Sequence, residues 1–197
     1  MLAGAVLALT QTDVKRMLAY SSIAHTGFLL TGVLGLQSAS ELSEGQVTSL
    51  QAVMFYLVTY GFATLGAFTV VGLVRDASGE ATDLSRWAGL SQRSPIVAAA
   101  FALFLLGMAG IPLTSGFIGK WAVFAAALSA GAWPVVVAAI VASIIAAYFY
   151  IRVIVLMYFA EPQADGPSVT MPSILTAGTI ALGAAVTVVL GVIPGPL

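Results

Sequence analysis

One lysine and one histidine stand where this chain can do proton chemistry. Lys120, in "GIPLTSGFIGKWAVF" (Gly110 to Phe124), is the only charge between Ile96 and Val141. Low dielectric strips an ammonium of its hydration, so its proton affinity responds strongly to neighbouring charges. A lysine held in this way stores a proton and releases it when a nearby charge changes, as a relay requires. A lysine near a helix end can instead snorkel its ammonium to the membrane interface; the residues alone leave both readings open. His25, the single histidine, lies in "AYSSIAHTGF" with Ser21 four and Ser22 three residues before it, near one helix face. Its ordinary pKa of about 6.5 suits a relay. A neutral histidine bonded to a carbonyl or hydroxyl across a helix interface fits the same residues equally well.

Softer candidates follow the same logic. Tyr56, Thr59, Tyr60 and Thr64 in "FYLVTYGFATLGAF" are residues that line water or simply pack helices, and Gly61 and Gly66 permit close helix contact. Arg152, flanked by Tyr148, Tyr150 and Tyr158, reads as an interfacial anchor. The carboxylates Asp13, Glu41, Glu44, Asp76, Glu80, Asp83, Glu161 and Asp165 fall in polar loops, and one histidine makes no metal site. No cysteine is present, which excludes thiolate catalysis, disulfides and zinc–thiolate or iron–sulfur ligation. No phosphate-cradling glycine loop occurs either. The expectation is a chain that makes no bonds itself and holds no metal or cofactor.

The elements that position Lys120 and His25 must be membrane helices. With 60% hydrophobic and 8% charged residues and a mean hydropathy of +1.05, the polar surface is too small to coat a soluble globule. A net charge of −1 leaves no footprint for nucleic acid, so the expected partners are lipid and other membrane helices. Apolar runs cover Met1–Thr10, Met17–Leu36, Leu50–Val74, Ile96–Phe159 and Met171–Ile193. The first is too short to span a bilayer core and is no convincing signal peptide; it reads as the end of a helix whose start is missing. The fourth must hold two helices, with a turn at "SAGAWP". Even so, a straight helix from Pro95 to Ala130 would run roughly 54 Å, nearly twice the bilayer core. Gly110, Pro112 and Gly116 supply a break, and Thr114 and Ser115 can satisfy the freed backbone groups.

These spacings predict an all-α integral membrane bundle of about five to six transmembrane helices, one of them broken. Residues 1–160 form the main bundle, and 161–197 a connecting loop and a last helix. Alternating the helices puts Lys15, Arg16, Arg75, Arg86, Arg93 and Arg152 on one side, while "QSASELSEGQVTS" and "SAGAWP" on the other carry no Lys or Arg. The positive-inside rule places the basic side in the cytoplasm and the C-terminus outside.

Two stretches carry a family resemblance: "LALTQTDVKRMLAYSSIAHTGFLLTGV" (Leu7 to Val33) and "LFLLGMAGIPLTSGFIGKWAVF" (Leu103 to Phe124). They resemble the antiporter-like membrane subunits of respiratory complex I, the bacterial NADH–quinone oxidoreductase, and "AYFYIRVIVLMYF" extends the likeness over essentially the whole chain. The resemblance implies a multi-pass proton-translocating subunit of the bacterial inner membrane, built from two inverted five-helix repeats that each hold a broken helix. This chain would supply the second repeat and a last helix. Lys120 matches the lysine of the second broken helix, assigned to the half-channel that opens outside. NADH, FMN, iron–sulfur clusters and quinone are then expected in other subunits, and the partners are the neighbouring antiporter-like and small membrane subunits. The family's first repeat, with its membrane glutamate and its own lysines, has no counterpart here, so the chain is expected to be a piece of a longer protein. Two alternatives remain: a subunit of a multi-subunit cation/proton antiporter or membrane hydrogenase, and a structural helix module without transport.

Overall fold

The computed structural model describes residues 1–35, 48–77, 79–163 and 165–195. Among the described residues eight α-helices follow one another: α1 (Leu2–Leu9), α2 (Val14–Val33), α3 (Ser49–Leu73), α4 (Leu90–Arg93), α5 (Pro95–Ala109), α6 (Ser115–Ser129), α7 (Trp133–Phe159) and α8 (Ile174–Val192). Local chemistry sets their starts. Asp13 caps α2 by accepting the Arg16 N–H at 2.8 Å. Thr48 and Gln51 form a reciprocal capping box at α3. Pro95 and Pro134 occupy the first turns of α5 and α7, where a missing N–H costs nothing.

Among the described residues three helices, α3, α7 and α8, are each long and apolar enough to cross a membrane. α2 is 20 residues long but carries Lys15 and Arg16 at its start and a polar face within. α5 and α6 have 15 residues each, too few to span singly. The α6–α7 turn falls at Ala130–Ala132, with Gly131 at φ +74°.

Packing follows the logic of lipid as solvent. Interior positions are small, such as Ala63, Gly66 and Ala67 on α3 and Ala139, Ala142 and Ala146 on α7, whereas Leu57, Leu65, Ile144 and Val155 face outward. Lipid gives no hydrophobic drive between helices, so close backbone approach and dispersion hold the bundle. Gly66 fits this expectation, because a Cβ there would meet the Phe104 ring; Gly61 does not, having nothing within 4 Å. α3 packs against α2, α5, α6 and α8, and α7 against α1, α2, α5 and α6. Trp87, Phe101, Phe104, Phe149 and Tyr150 are fully buried in one apolar cluster.

The polar loops depart from the all-α expectation. Strands β1 (Val74–Asp76), β2 (Gly79–Glu80) and β3 (Ser168–Val169) form a small antiparallel sheet in the order β2-β1-β3. Hydropathy periods cannot reveal strands this short. The sheet ties residues 168–169 to the end of α3, so the segment after α7 is fastened to the main bundle. Lys15 pairs with Glu80, while the Arg86 guanidinium donates to Asp76 at 2.8 Å and to the Gln163 side chain at 2.7 Å. Three loops that the charge pattern put on one side thus meet there. Glu41, Glu44 and most of "QSASELSEGQVTS" lie outside the described residues.

Candidate functional site: a lysine at a helix interruption

Helix α5 stops at Ala109 because Gly110 turns left-handed, at φ 81° and ψ 43°, a region that costs an L side chain but not glycine. Pro112 follows without an N–H, Leu113 has φ 72°, and α6 begins at Ser115. Thr114 Oγ1 donates to the Ile111 carbonyl at 2.7 Å and so satisfies one acceptor inside the interruption. Gly116 lets the first turn of α6 lie on α5, since a Cβ there would collide with the Gly107 carbonyl oxygen.

Lys120 reaches back across this gap. Its Nζ donates to the carbonyls of Met108 and Ala109, each at 2.9 Å, and to Ser143 Oγ of α7 at 3.0 Å. Terminal carbonyls of a helix lack intrahelical donors, and the helix dipole makes that end negative. The ammonium therefore uses all three of its N–H groups on neutral acceptors. The Phe28 ring lies 5.1 Å away, within cation–π range. Lys120 is only 5% exposed, so its side chain lies inside the bundle. Among the described residues no carboxylate pairs with it. A recess of about 160 Å³, walled by Phe117, Trp121, Phe124 and Ser143, opens beside it.

His25 occupies a separate cluster. Its Nδ1 lies 2.7 Å from the Tyr56 hydroxyl and its Nε2 3.2 Å from that of Tyr150; both hydroxyls can donate or accept. The imidazole stacks on Tyr60, with centroids 4.2 Å apart and planes 10° from parallel. Ser21 Oγ bonds the Tyr150 hydroxyl, and Tyr60 donates to Ser22 Oγ at 2.9 Å. Ser22 in turn donates to the Leu18 carbonyl at 3.0 Å.

The lysine and histidine clusters touch through shared residues rather than a direct bond. Phe28 meets the His25 ring edge-on at 5.4 Å and also faces Lys120. A cavity of about 10 Å³, near the volume one water-sized sphere occupies, is lined by His25, Tyr56, Tyr60, Ser115, Gly116 and Met108, whose carbonyl holds Lys120. Ser115 is buried at this cavity and Thr114 is not part of it. Sequence reasoning missed Ser143 and Phe28, and it grouped Tyr150 with the interfacial tyrosines although Tyr150 is fully buried on His25. No local pattern marks a partner 129 positions from Ser21.

The family model described as NADH:quinone oxidoreductase/Mrp antiporter, TM, matches residues 1–146. NADH-quinone oxidoreductase subunit N of a Nocardioides species is 67% identical over all of this chain, which spans 38% of that relative's length. Among solved structures, a chain of respiratory complex I from Thermus thermophilus is 31% identical with a TM-score of 0.80, over 98% of this chain and 41% of that one. A chain of the Mrp complex from Dietzia sp. has a TM-score of 0.79 at 22% identity, covering 97% of this chain and 42% of its own; at that identity the likeness concerns the fold alone. The chain belongs to the NADH:quinone oxidoreductase/Mrp antiporter transmembrane family, and within that family its sequence is similar to members named NADH-quinone oxidoreductase subunit N.

Proposed function

We propose that this chain is part of a proton-translocating membrane subunit of an NADH–quinone oxidoreductase, and that Lys120 takes up and releases the transported proton. The observation that carries the reading is the buried Lys120 ammonium, held by two terminal carbonyls of α5 and a serine, with no countercharge among the described residues. Neutral acceptors stabilise the charged form without locking it, as a carboxylate would. Two charges 10 Å apart interact by roughly 1.7 kcal/mol at an effective dielectric of 20. That changes a group's proton affinity by about tenfold. A charge arriving near Lys120 is then enough to move its proton. Oxidation of NADH and reduction of quinone, with flavin and iron–sulfur chemistry, belong to other subunits in this reading. The His25 cluster and Ser115 would line the approach to the lysine.

In the same reading α5 and α6 together form one discontinuous spanning helix. With α1, α2, α3, α7 and α8 the bundle has five to six spans, residues 1–160 being a five-helix repeat and 161–197 a loop and last helix. The basic loops face the cytoplasm of a bacterial inner membrane, and the C-terminus faces outside. Affinity purification of the native complex through this chain tests the reading. NADH-driven quinone reduction should co-purify with it. Cation–proton exchange without any redox activity would overturn it in favour of the antiporter branch of the family.

A further inference from the structure

Arg152 and Asp83 stand on one groove at the basic end of the bundle without pairing with each other. A cavity of about 720 Å³ is lined by both, together with the exposed Thr12 and Ser85 and with Leu156 and Phe159 of α7. A second cavity of about 320 Å³ continues along α7 past Tyr148, Ile151, Arg152 and Val155. Arg152 therefore sits between a polar mouth and an apolar trough on the outer face of the helix. It lies seven residues before the end of α7, or about 10 Å from it. Among the described residues its guanidinium takes part in no ion pair, and a charge at that depth in an apolar face needs a partner.

The mouth carries the opposite charge. Asp83 caps the 3-10 turn Leu84–Trp87 by accepting the Ser85 N–H at 2.8 Å, and hydrogen bonding from the Ser85 side chain, then from its N–H, holds the carboxyl below the ordinary carboxylate range. It is ionised at neutral pH and exposed. A purely anionic occupant would be drawn to Arg152 and repelled by Asp83. An occupant with a phosphate and an ammonium satisfies both, and Thr12 and Ser85 line the same cavity.

We propose that this groove is a binding site for a zwitterionic aminophospholipid of the phosphatidylethanolamine type. Its phosphate lies on Arg152, its ammonium meets Asp83, and an acyl chain follows the α7 stripe past Ile151 and Tyr148. A guanidinium binds phosphate bidentately, and a primary ammonium offers Asp83 three donors, which a quaternary choline does not. The proposal rests on the membrane reading of the chain and not on proton transfer through Lys120.

The test uses the intact complex reconstituted in nanodiscs containing equal phosphatidylethanolamine, phosphatidylcholine and phosphatidylglycerol, with retained lipids measured by native mass spectrometry. The wild-type complex is expected to retain phosphatidylethanolamine above its share. Arg152→Gln should lose that lipid, and Asp83→Asn should keep a phospholipid but lose the preference for the ethanolamine head. Val155→Trp, which fills the groove beside Arg152 and leaves both charged side chains in place, should displace the lipid even if the charge variants assemble poorly. Unchanged retention in Arg152→Gln and Val155→Trp overturns the site, as does a cross-link from Val155→Cys to a neighbouring polypeptide in place of lipid. An unchanged head-group preference in Asp83→Asn, or a wild-type preference for phosphatidylglycerol, overturns the zwitterionic assignment.

Discussion

Lys120 of α6 donates its ammonium to the carbonyl of Met108, in the last turn of α5, at 2.9 Å. The helix interruption and the charge are thus one device. Ending α5 at Ala109 exposes carbonyls that a continuous helix would have consumed, and those carbonyls hold the lysine. Gly110 belongs to the same device, since a Cβ there would lie 3.0 Å from Lys120 Cδ.

Close approach of the two half-helices gives a stability prediction. Gly116→Ala drives a methyl into the Gly107 carbonyl and should cost about 1–3 kcal/mol, as overpacking does. Gly61→Ala, in a helix with nothing within 4 Å, should instead stabilise by about 0.5–1 kcal/mol. Thermal inactivation of the assembled complex compares the two, and equal effects would contradict the close-contact account.

Tyr150 links Ser21 and His25, so its hydroxyl supports two buried groups. A single interhelical hydrogen bond in a membrane averages about 0.6 kcal/mol. Tyr150→Phe leaves both partners short of a bond and should cost about 1–3 kcal/mol. Combined with Tyr56→Phe, which frees the other imidazole nitrogen, the losses should be non-additive in a double-mutant cycle. Strict additivity would mean that the hydroxyls pack helices independently.

The loop at the basic end should loosen in acid. Hydrogen bonds from Ser85 hold Asp83 below its ordinary value of 3.8, so the folded carboxyl binds its proton less readily than the unfolded one. Its stabilising effect is complete above the unfolded value and disappears as pH falls through the lower folded one. Protection factors for hydrogen exchange at Leu84–Trp87, taken against the intrinsic rate at each pH, should fall below about pH 4 relative to pH 7, and Asp83→Asn should remove most of that dependence. A pH response that persists in Asp83→Asn would assign it to another group.

Much of this arrangement could be read from residue order. The apolar runs gave the long helices to within a few residues, because lipid demands long uninterrupted spans. Gly110 and Pro112 lie between the end of α5 and the start of α6, and the loops that carry Lys15, Glu80, Arg86 and Gln163 meet in the folded chain. The loop strands escaped because two- and three-residue pairings leave no periodic trace. The partners of the chemistry escaped for a different reason. Ser143 lies 23 residues and Tyr150 125 residues from the groups they bond, and only tertiary packing brings them there. Gly61 shows the opposite failure, a glycine whose place would accept a side chain, since a Cβ there meets nothing within 4 Å.

The central claim is that Lys120 carries a proton, and the most direct measurement is NADH-driven proton translocation in sealed vesicles holding the assembled complex with Lys120 or with Lys120→Met. Methionine keeps the length and apolar stem while removing the charge. The expected result is normal assembly with proton translocation and coupled quinone reduction reduced at least tenfold, in line with removal of a proton-transferring group. Assembled Lys120→Met complexes that translocate protons at the wild-type rate would show that the lysine only joins two half-helices.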